Sequence, residues 1–361
     1  MSHVRVGKTA AAIVFAALGA LALPGCWDFD AAYNACVDAG ASCTVDGGAN
    51  TGGDGGVACP NGLCLVDSYR TQSLYGLLSV WGAAPNRIIM GGAWGTVVRW
   101  NGTDFTEDQT NGAYDNMFMT EVTGTSYTDA WGLGSGELIH WTGKNPWEFV
   151  NVTGEYLGDV TGAWAESPGQ AWIAGENLWD WHADGGVQTA LNGPQFYDVW
   201  GVTNGRAWAV GANADSKGTI AERVGGTWSA PAIRADYSLR SVHGTADNDV
   251  WAVGEYQTVQ HLTDAGWASV SLANLPIGFD QTLYDVWANP NGEVWITTRG
   301  PKVIKRERDG GWTAFNPPGA EDAGIYQVYG FPSTGDLWIV GGWPRNSTDW
   351  NGGIAVHYRQ Q

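Results

Sequence analysis

The chain is poor in positive charge, and its bulk is free of cysteine. Only 18 of 361 residues are Lys or Arg against 37 Asp or Glu, and none of the 297 residues after Cys64 is a cysteine. So acidic a surface repels phosphate backbones and anionic lipid alike, which argues against a nucleic-acid partner. Without cysteine, the large C-terminal part must hold itself together by packing and not by disulfides or thiolate-bound metal. There is no Cys-x-x-Cys, no Gly-x-Ser-x-Gly and no phosphate-cradling glycine loop. After residue 25 no apolar run approaches the length of a membrane span.

The amino terminus is built differently. Arg5 and Lys8 precede the apolar run Thr9 to Leu23, followed by Leu23-Pro24-Gly25-Cys26. This resembles a bacterial lipoprotein signal, residues 1–25, in which Cys26 becomes the lipidated first residue; an ordinary cleaved secretory signal or an uncleaved anchor would carry the same pattern. Pro24 departs from the small residue usual before the glycine. Loss of residues 1–25 leaves 16 basic against 37 acidic residues, a net charge near −21. Trp27, not Asp, follows Cys26. The resemblance therefore implies an exported protein of the bacterial cell envelope, lipid-anchored in the outer membrane and touching the bilayer through its lipid only.

Residues 26–61 read as a tether, because Thr44 to Val57 is largely Gly and Asp with little to bury. Cys36, Cys43, Cys59 and Cys64 cluster at this end of the chain. An even number of cysteines in an exported segment predicts two disulfides, and all three pairings remain open.

From residue 62 to 361 one unit recurs. Its clearest copy runs Leu239-Arg240-Ser241-Val242-His243-Gly244, Asn248 to Gly254, Thr258 to His261 and Asp264-Ala265-Gly266-Trp267. Marker valines fall at Val80, Val122, Val160, Val199, Val242, Val286 and Val328, spaced 42, 38, 39, 43, 44 and 42 residues apart. That is the period of a propeller blade of four short strands, a to d from the axis outward. Seven copies predict an all-β, seven-bladed propeller. The seventh copy stops after strand c, so residues 62–68 are expected to close the ring as its strand d, removing an open sheet edge.

The 22 tryptophans fall mostly at equivalent positions in strands b and d, where burying each ring contributes roughly 4 to 6 kcal/mol gross. Five do not fit the period. Trp94, Trp179, Trp181, Trp343 and Trp350 are placed in b–c loops, accompanied by Asn177, Asp180, Asp215, Arg299, Asn346 and Asp349. Loops on a rigid scaffold are where binding resides, and such aromatics suit stacking on a glycan or gripping an extended peptide; the alternative is that they fold back over the blade edge.

The residues before the markers are Ser79, Glu121, Asp159, Asp198, Ser241, Asp285 and Gln327. A ring of oxygens at the axis is a candidate Ca2+ site through Glu121, Asp159, Asp198 and Asp285; the other reading is a polar channel bonded to neighbouring backbone. No cofactor is otherwise indicated. His140, His261 and His357 lie in strand c of different blades, too dispersed for a metal.

The c–d turns Asp264 to Trp267 and Asp309 to Trp312 resemble degenerate Asp boxes of sialidases, but Arg240 is the only arginine in a strand-a motif, so the arginine clamp of that chemistry is missing. A two-carboxylate glycosidase would draw on Glu121 with Asp159 or Asp198 with Asp285.

By repeat length and by the Trp-Gly, Val-Trp-Ala-Val-Gly and Gly-x-x-Trp patterns, residues 62–361 resemble the WD40/YVTN/BNR-like seven-bladed bacterial propellers. That likeness implies a fold and not a chemistry. The expected role is a non-enzymatic binding or scaffold module for a glycan, a peptide or an envelope protein; the alternative is a glycan-active hydrolase or lyase with its site at the axial mouth.

Overall fold

A computed structural model describes residues 59, 61, 63–71, 76–108, 117–144, 147–150, 157–184, 186–193, 195–202, 205–278, 280–298, 300–342 and 352–360. The signal at 1–25, Cys26, Cys36 and Cys43 lie outside them, as do Arg299, Trp343, Asn346, Asp349 and Trp350. The chain divides into two compact units, Met1–Cys64 and Leu65–Gln361. In the first, Cys59 is disulfide-bonded to Cys64.

The second unit is built of seven antiparallel sheets arranged as blades. Strand a, the innermost, runs Leu77–Ala84, Glu121–Ser126, Gly162–Ser167, Gln195–Val202, Leu239–Ala246, Leu283–Ala288 and Gly324–Phe331 in blades one to seven. Each pairs with the next strand in sequence, so six blades grow outward by hairpins from strand a to strand d. The last blade has the order expected from the truncated repeat: Gly324–Phe331, Asp336–Gly342, Gly353–Gln360 and, outermost, Leu63–Arg70. The Thr71 N–H donates to the Gly353 carbonyl at 2.9 Å, and the Gly353 N–H donates to Thr71 Oγ1 at 2.7 Å.

The core follows the repeat. Trp131, Trp172, Trp208, Trp251, Trp295 and Trp338 of strand b are all buried, with Ile89 in their place in blade one. Opposite each lies a polar strand-c residue. The three strand-c histidines are structural: His140, His261 and His357 stack on Trp131, Trp251 and Trp338 at 4.9, 3.6 and 4.2 Å between ring centroids. Each ring nitrogen is fixed by an aspartate two residues before that tryptophan, at 2.8, 2.8 and 2.6 Å for Asp129, Asp249 and Asp336.

The Trp-Gly pair of strand a explains how blades join. The aromatic after the marker lies across the glycine of the next blade, so tightly that a Cβ there would stand 2.9 Å from Trp81 at Gly124, 2.6 Å from Trp164 at Gly201, 2.8 Å from Trp200 at Gly244 and 2.5 Å from Trp287 at Gly330. Between the last blade and the first, the Tyr329 hydroxyl donates to the Gly82 carbonyl at 3.1 Å.

Where the first partner is not a large aromatic, the second is alanine. Thr123 Oγ1 accepts from the Ala165 N–H at 3.2 Å, and His243 Nδ1 accepts from the Ala288 N–H at 3.1 Å. Ring size and the missing Cβ are thus matched junction by junction.

Blade three departs from the sequence reading. Trp164 pairs with Trp172, Ala163 with Ile173 and Gly162 with Ala174, whereas in blade four Trp200 pairs with Trp208 and Val199 with Ala209. The counterpart of the marker valine is therefore Ala163, not Val160. The Asp159-Val160 dipeptide imitates the motif three residues early; Ala163-Trp164-Ala165 is the pattern that packs.

Replacing Gly330 by Ala should destabilise the fold by about 1 to 3 kcal/mol, the usual cost of overpacking. Combining it with Trp287→His, which copies the His243–Ala288 junction, should cost less than the two single changes added together, by about 1 kcal/mol in a denaturant cycle.

Candidate functional site

Each strand a carries its axial residue one position before the marker. In the observed register this row is Ser79, Glu121, Gly162, Asp198, Ser241, Asp285 and Gln327. The expected ring thus has three carboxylates, not four. Asp159 is exposed in the loop entering blade three, and Gly162 takes its place because a Cβ there would meet Asp198 Oδ1 and the Tyr197 carbonyl, each at 2.7 Å.

Most of these side chains stitch blade to blade by accepting the N–H of the next marker. Asp198 Oδ2 accepts from Val242 at 2.8 Å, Ser241 Oγ from Val286 at 3.3 Å and Asp285 Oδ2 from Val328 at 2.9 Å. Gln327 Oε1 accepts from the Val80 N–H. The other oxygens are also engaged, Asp198 Oδ1 by the Val199 N–H and Asp285 Oδ1 by the Ser241 hydroxyl, both at 2.8 Å. Gln327 Nε2 donates to Glu121 Oε2 at 3.2 Å.

Asp198 and Asp285 are thus bonded chiefly to backbone N–H groups, and Glu121 to the Gln327 side chain. Among the described residues no group of three or more His, Cys, Asp or Glu is placed to hold a metal ion.

Glu121, Asp198, Asp285 and Gln327 line an axial cavity of about 620 Å3. Their side chains keep some contact with its lumen, yet protein surrounds them on other sides and ionisation is costly. Burial pushes the Glu121 carboxyl well above its ordinary value, and the Asp198 and Asp285 charges add to this. Burial likewise raises Asp198 to about 7, against the Val242 N–H bond and with help from Asp285. Asp285 rises to about 6, again by burial first. Burial pulls His243 down to about 4, so it is neutral and free to accept the Ala288 N–H.

The mouth was not foreseen. In blades one, four, five, six and seven a β-bulge opens strand a. A bulge re-aims the side chain beside it, and here Leu78, Tyr197, Arg240, Tyr284 and Tyr326 all line the cavity instead of following strand alternation. Arg240 lies over the Tyr197 ring at 4.2 Å and is ion-paired with Glu255; Tyr284 and Tyr326 meet edge to face at 6.0 Å. The only sequence trace was a tyrosine or arginine immediately before the axial residue in four of the seven repeats.

The b–c and d–a loops surround this end of the channel, as strand direction requires. Trp94 is among them, 41% exposed, at a left-handed φ of 56° and 5.5 Å from Phe118. Its equivalent in blade five, Tyr256, is 49% exposed, also left-handed at φ 52°, and packs on Tyr237 at 4.4 Å. Non-glycine residues held at such angles store strain at loop tips. Asp215 is exposed in the b–c loop of blade four, where its N–H donates to Asn213 Oδ1 at 3.0 Å.

Trp179 and Trp181 do not belong to this face. They lie in strand c of blade three, Asn177–His182, 1% and 5% exposed, because that blade turns from b to c over Gly175 and Glu176 alone. Asn177 and Asp180 share the strand, and Asp180 is engaged by His182 at 3.1 Å.

Solved structures share this architecture. The chain is similar to YCF48 bound to D1 peptide, with TM-score 0.64 and 14% identity over 84% of this chain and 99% of that one. It is similar to the WD40 β-propeller domain of Doa1, with TM-score 0.61 and 14% identity over 83% and 98%. It also resembles a catalytically inactive virginiamycin B lyase from Staphylococcus aureus with quinupristin, with TM-score 0.64 and 12% identity over 81% and 98%. At such identities the likeness is one of fold. The sequence matches no protein-family model and no curated protein.

The axial carboxyls bind protons more readily folded than unfolded. Their contribution to stability is complete below their ordinary values near pH 4 and is lost as pH rises through the folded ones, about 6 for Asp285 and about 7 for Asp198. Glu121→Gln keeps the bond to Gln327 without the charge. Its melting temperature should exceed the native one by at least about 2 °C near pH 8 and match it near pH 4, read by calorimetry across the range.

Proposed function

We propose that this propeller is a binding or scaffold module that engages an extended peptide or protein segment across its loop face. One observation carries the reading: the exposed aromatic side chains Trp94, Phe118, Tyr237 and Tyr256 lie in b–c and d–a loops, on the face where exposed Tyr284 lines the 620 Å3 cavity. Paired rings on strained loop tips give large contact area at small entropic cost. YCF48, a similar fold, has been solved with a peptide bound. A glycan would stack on the same rings, and an envelope protein would present either chemistry.

The apolar leader and Cys26 support display of the module at the cell envelope on a lipid, with Trp27 favouring the outer membrane. No catalytic residue is assigned in this reading. A second reading, a glycan-active hydrolase or lyase at the axial mouth, draws on Asp198 and Asp285, whose raised carboxyls are suited to proton transfer near neutral pH.

On arrays of immobilised peptides and glycans, the full-length protein should bind peptides, and Trp94→Ala or Tyr256→Ala should weaken those spots about tenfold with the circular dichroism unchanged. Hydrolysis of a chromogenic glycoside that disappears in Asp198→Asn would replace this reading with the enzymatic one. In cells, Cys26→Ser should abolish incorporation of labelled palmitate and release the protein from the membrane fraction.

A further inference from the structure

The cavity and its mouth are chemically unlike each other. Tyr197, Tyr284 and Tyr326 stand at the entrance, re-aimed by the strand-a bulges. Deeper in, Glu121, Asp198 and Asp285 line the wall. An entrance of aromatic side chains above a wall of carboxylates is complementary to a cation on an apolar stem, since the rings can cover the stem and a desolvated carboxylate gains most from an opposite charge.

We infer that the axial cavity is a socket for one basic side chain, lysine or arginine, of the extended peptide that the loop face engages, an inference that rests on the peptide reading above. The volume, about 620 Å3, admits such a side chain together with adjoining backbone. The stem of the side chain covers the tyrosine rings and the head reaches the carboxylates. Each carboxylate oxygen that already accepts one protein hydrogen retains a second lone pair for the incoming N–H groups, so the interblade bonds at Asp198 and Asp285 need not break.

The charges around the socket agree. Arg240, the cation at the rim, is neutralised by Glu255, and His243, in the wall, stays uncharged. Glu121, Asp198 and Asp285 are left as carboxyls lining the lumen whose proton affinity is raised, by burial first, and a cation entering beside them favours their ionised form. Binding should therefore release protons, and affinity should fall as the solution is acidified.

The test uses the full-length protein and two blocked pentapeptides, Gly-Gly-Lys-Gly-Gly and Gly-Gly-Gln-Gly-Gly, titrated by calorimetry near pH 8 and near pH 5. The lysine peptide should bind at least tenfold more tightly than the glutamine peptide near pH 8. That preference should fall at least fivefold near pH 5 in the native protein, and at least fivefold in Glu121→Gln near pH 8. Equal affinity for the two peptides, a lysine preference indifferent to both pH and Glu121, or no binding of either at low-millimolar concentration would overturn the socket. Loop-face recognition fails separately, by loss of array binding that Trp94 and Tyr256 do not control. The pH arm needs no variant, so a folding defect in Glu121→Gln leaves the inference open to refutation.

Discussion

The contact on which the ring depends is the edge of an aromatic ring set against a neighbour's missing side chain. Trp81, Trp164, Trp200 and Trp287 each cover a glycine in the next blade, at distances where a methyl group would not fit. The apolar area removed at each junction is large, and the close approach also fixes the angle between sheets, because interiors packed at this density tolerate little displacement. These four junctions, with the Thr123–Ala165, His243–Ala288 and Tyr329–Gly82 hydrogen bonds at the other three, let a string of hairpins bend into a ring.

The innermost strand does three things with consecutive residues. The aromatic–glycine pair joins blades, the polar residue before the marker ties its oxygen to the next marker N–H in four blades, and the residue before that is turned into the channel by a bulge in five. Joining and lining therefore compete for the same short stretch. Asp198 and Asp285 show the compromise: they accept backbone hydrogens that hold blades together, and with Glu121 they remain in a cavity where burial first, and at Glu121 and Asp198 a neighbouring carboxylate, raises their proton affinity.

Architecture was largely legible in the sequence because a repeat writes the same constraint many times over. The strand-b tryptophans and the final blade completed by Leu63–Arg70 followed from spacing alone. Blade three was not: the Asp159-Val160 dipeptide imitates the motif and puts Asp159 in the axial row, while the b–c turn of Gly175 and Glu176 alone places Trp179 and Trp181 in strand c where a longer loop is expected. Strand pairing decides such cases, and a single copy of a repeat does not reveal its own register. The mouth escaped for another reason. Bulges break the alternation from which inward and outward faces are read, so Tyr197, Tyr284 and Tyr326 looked like ordinary strand residues.

The outermost strand of the last blade also orders events in time. The bonds between Thr71 and Gly353 join positions 282 residues apart, so the first strand made on the ribosome must wait for nearly all the rest before it finds its partner. Six sheets assemble from local hairpins, which form fast, whereas the final docking carries the entropic burden of the longest loop in the molecule. Until then the last sheet presents an unpaired edge, and that interval is when the nascent protein is most exposed to mispairing with a second copy of itself.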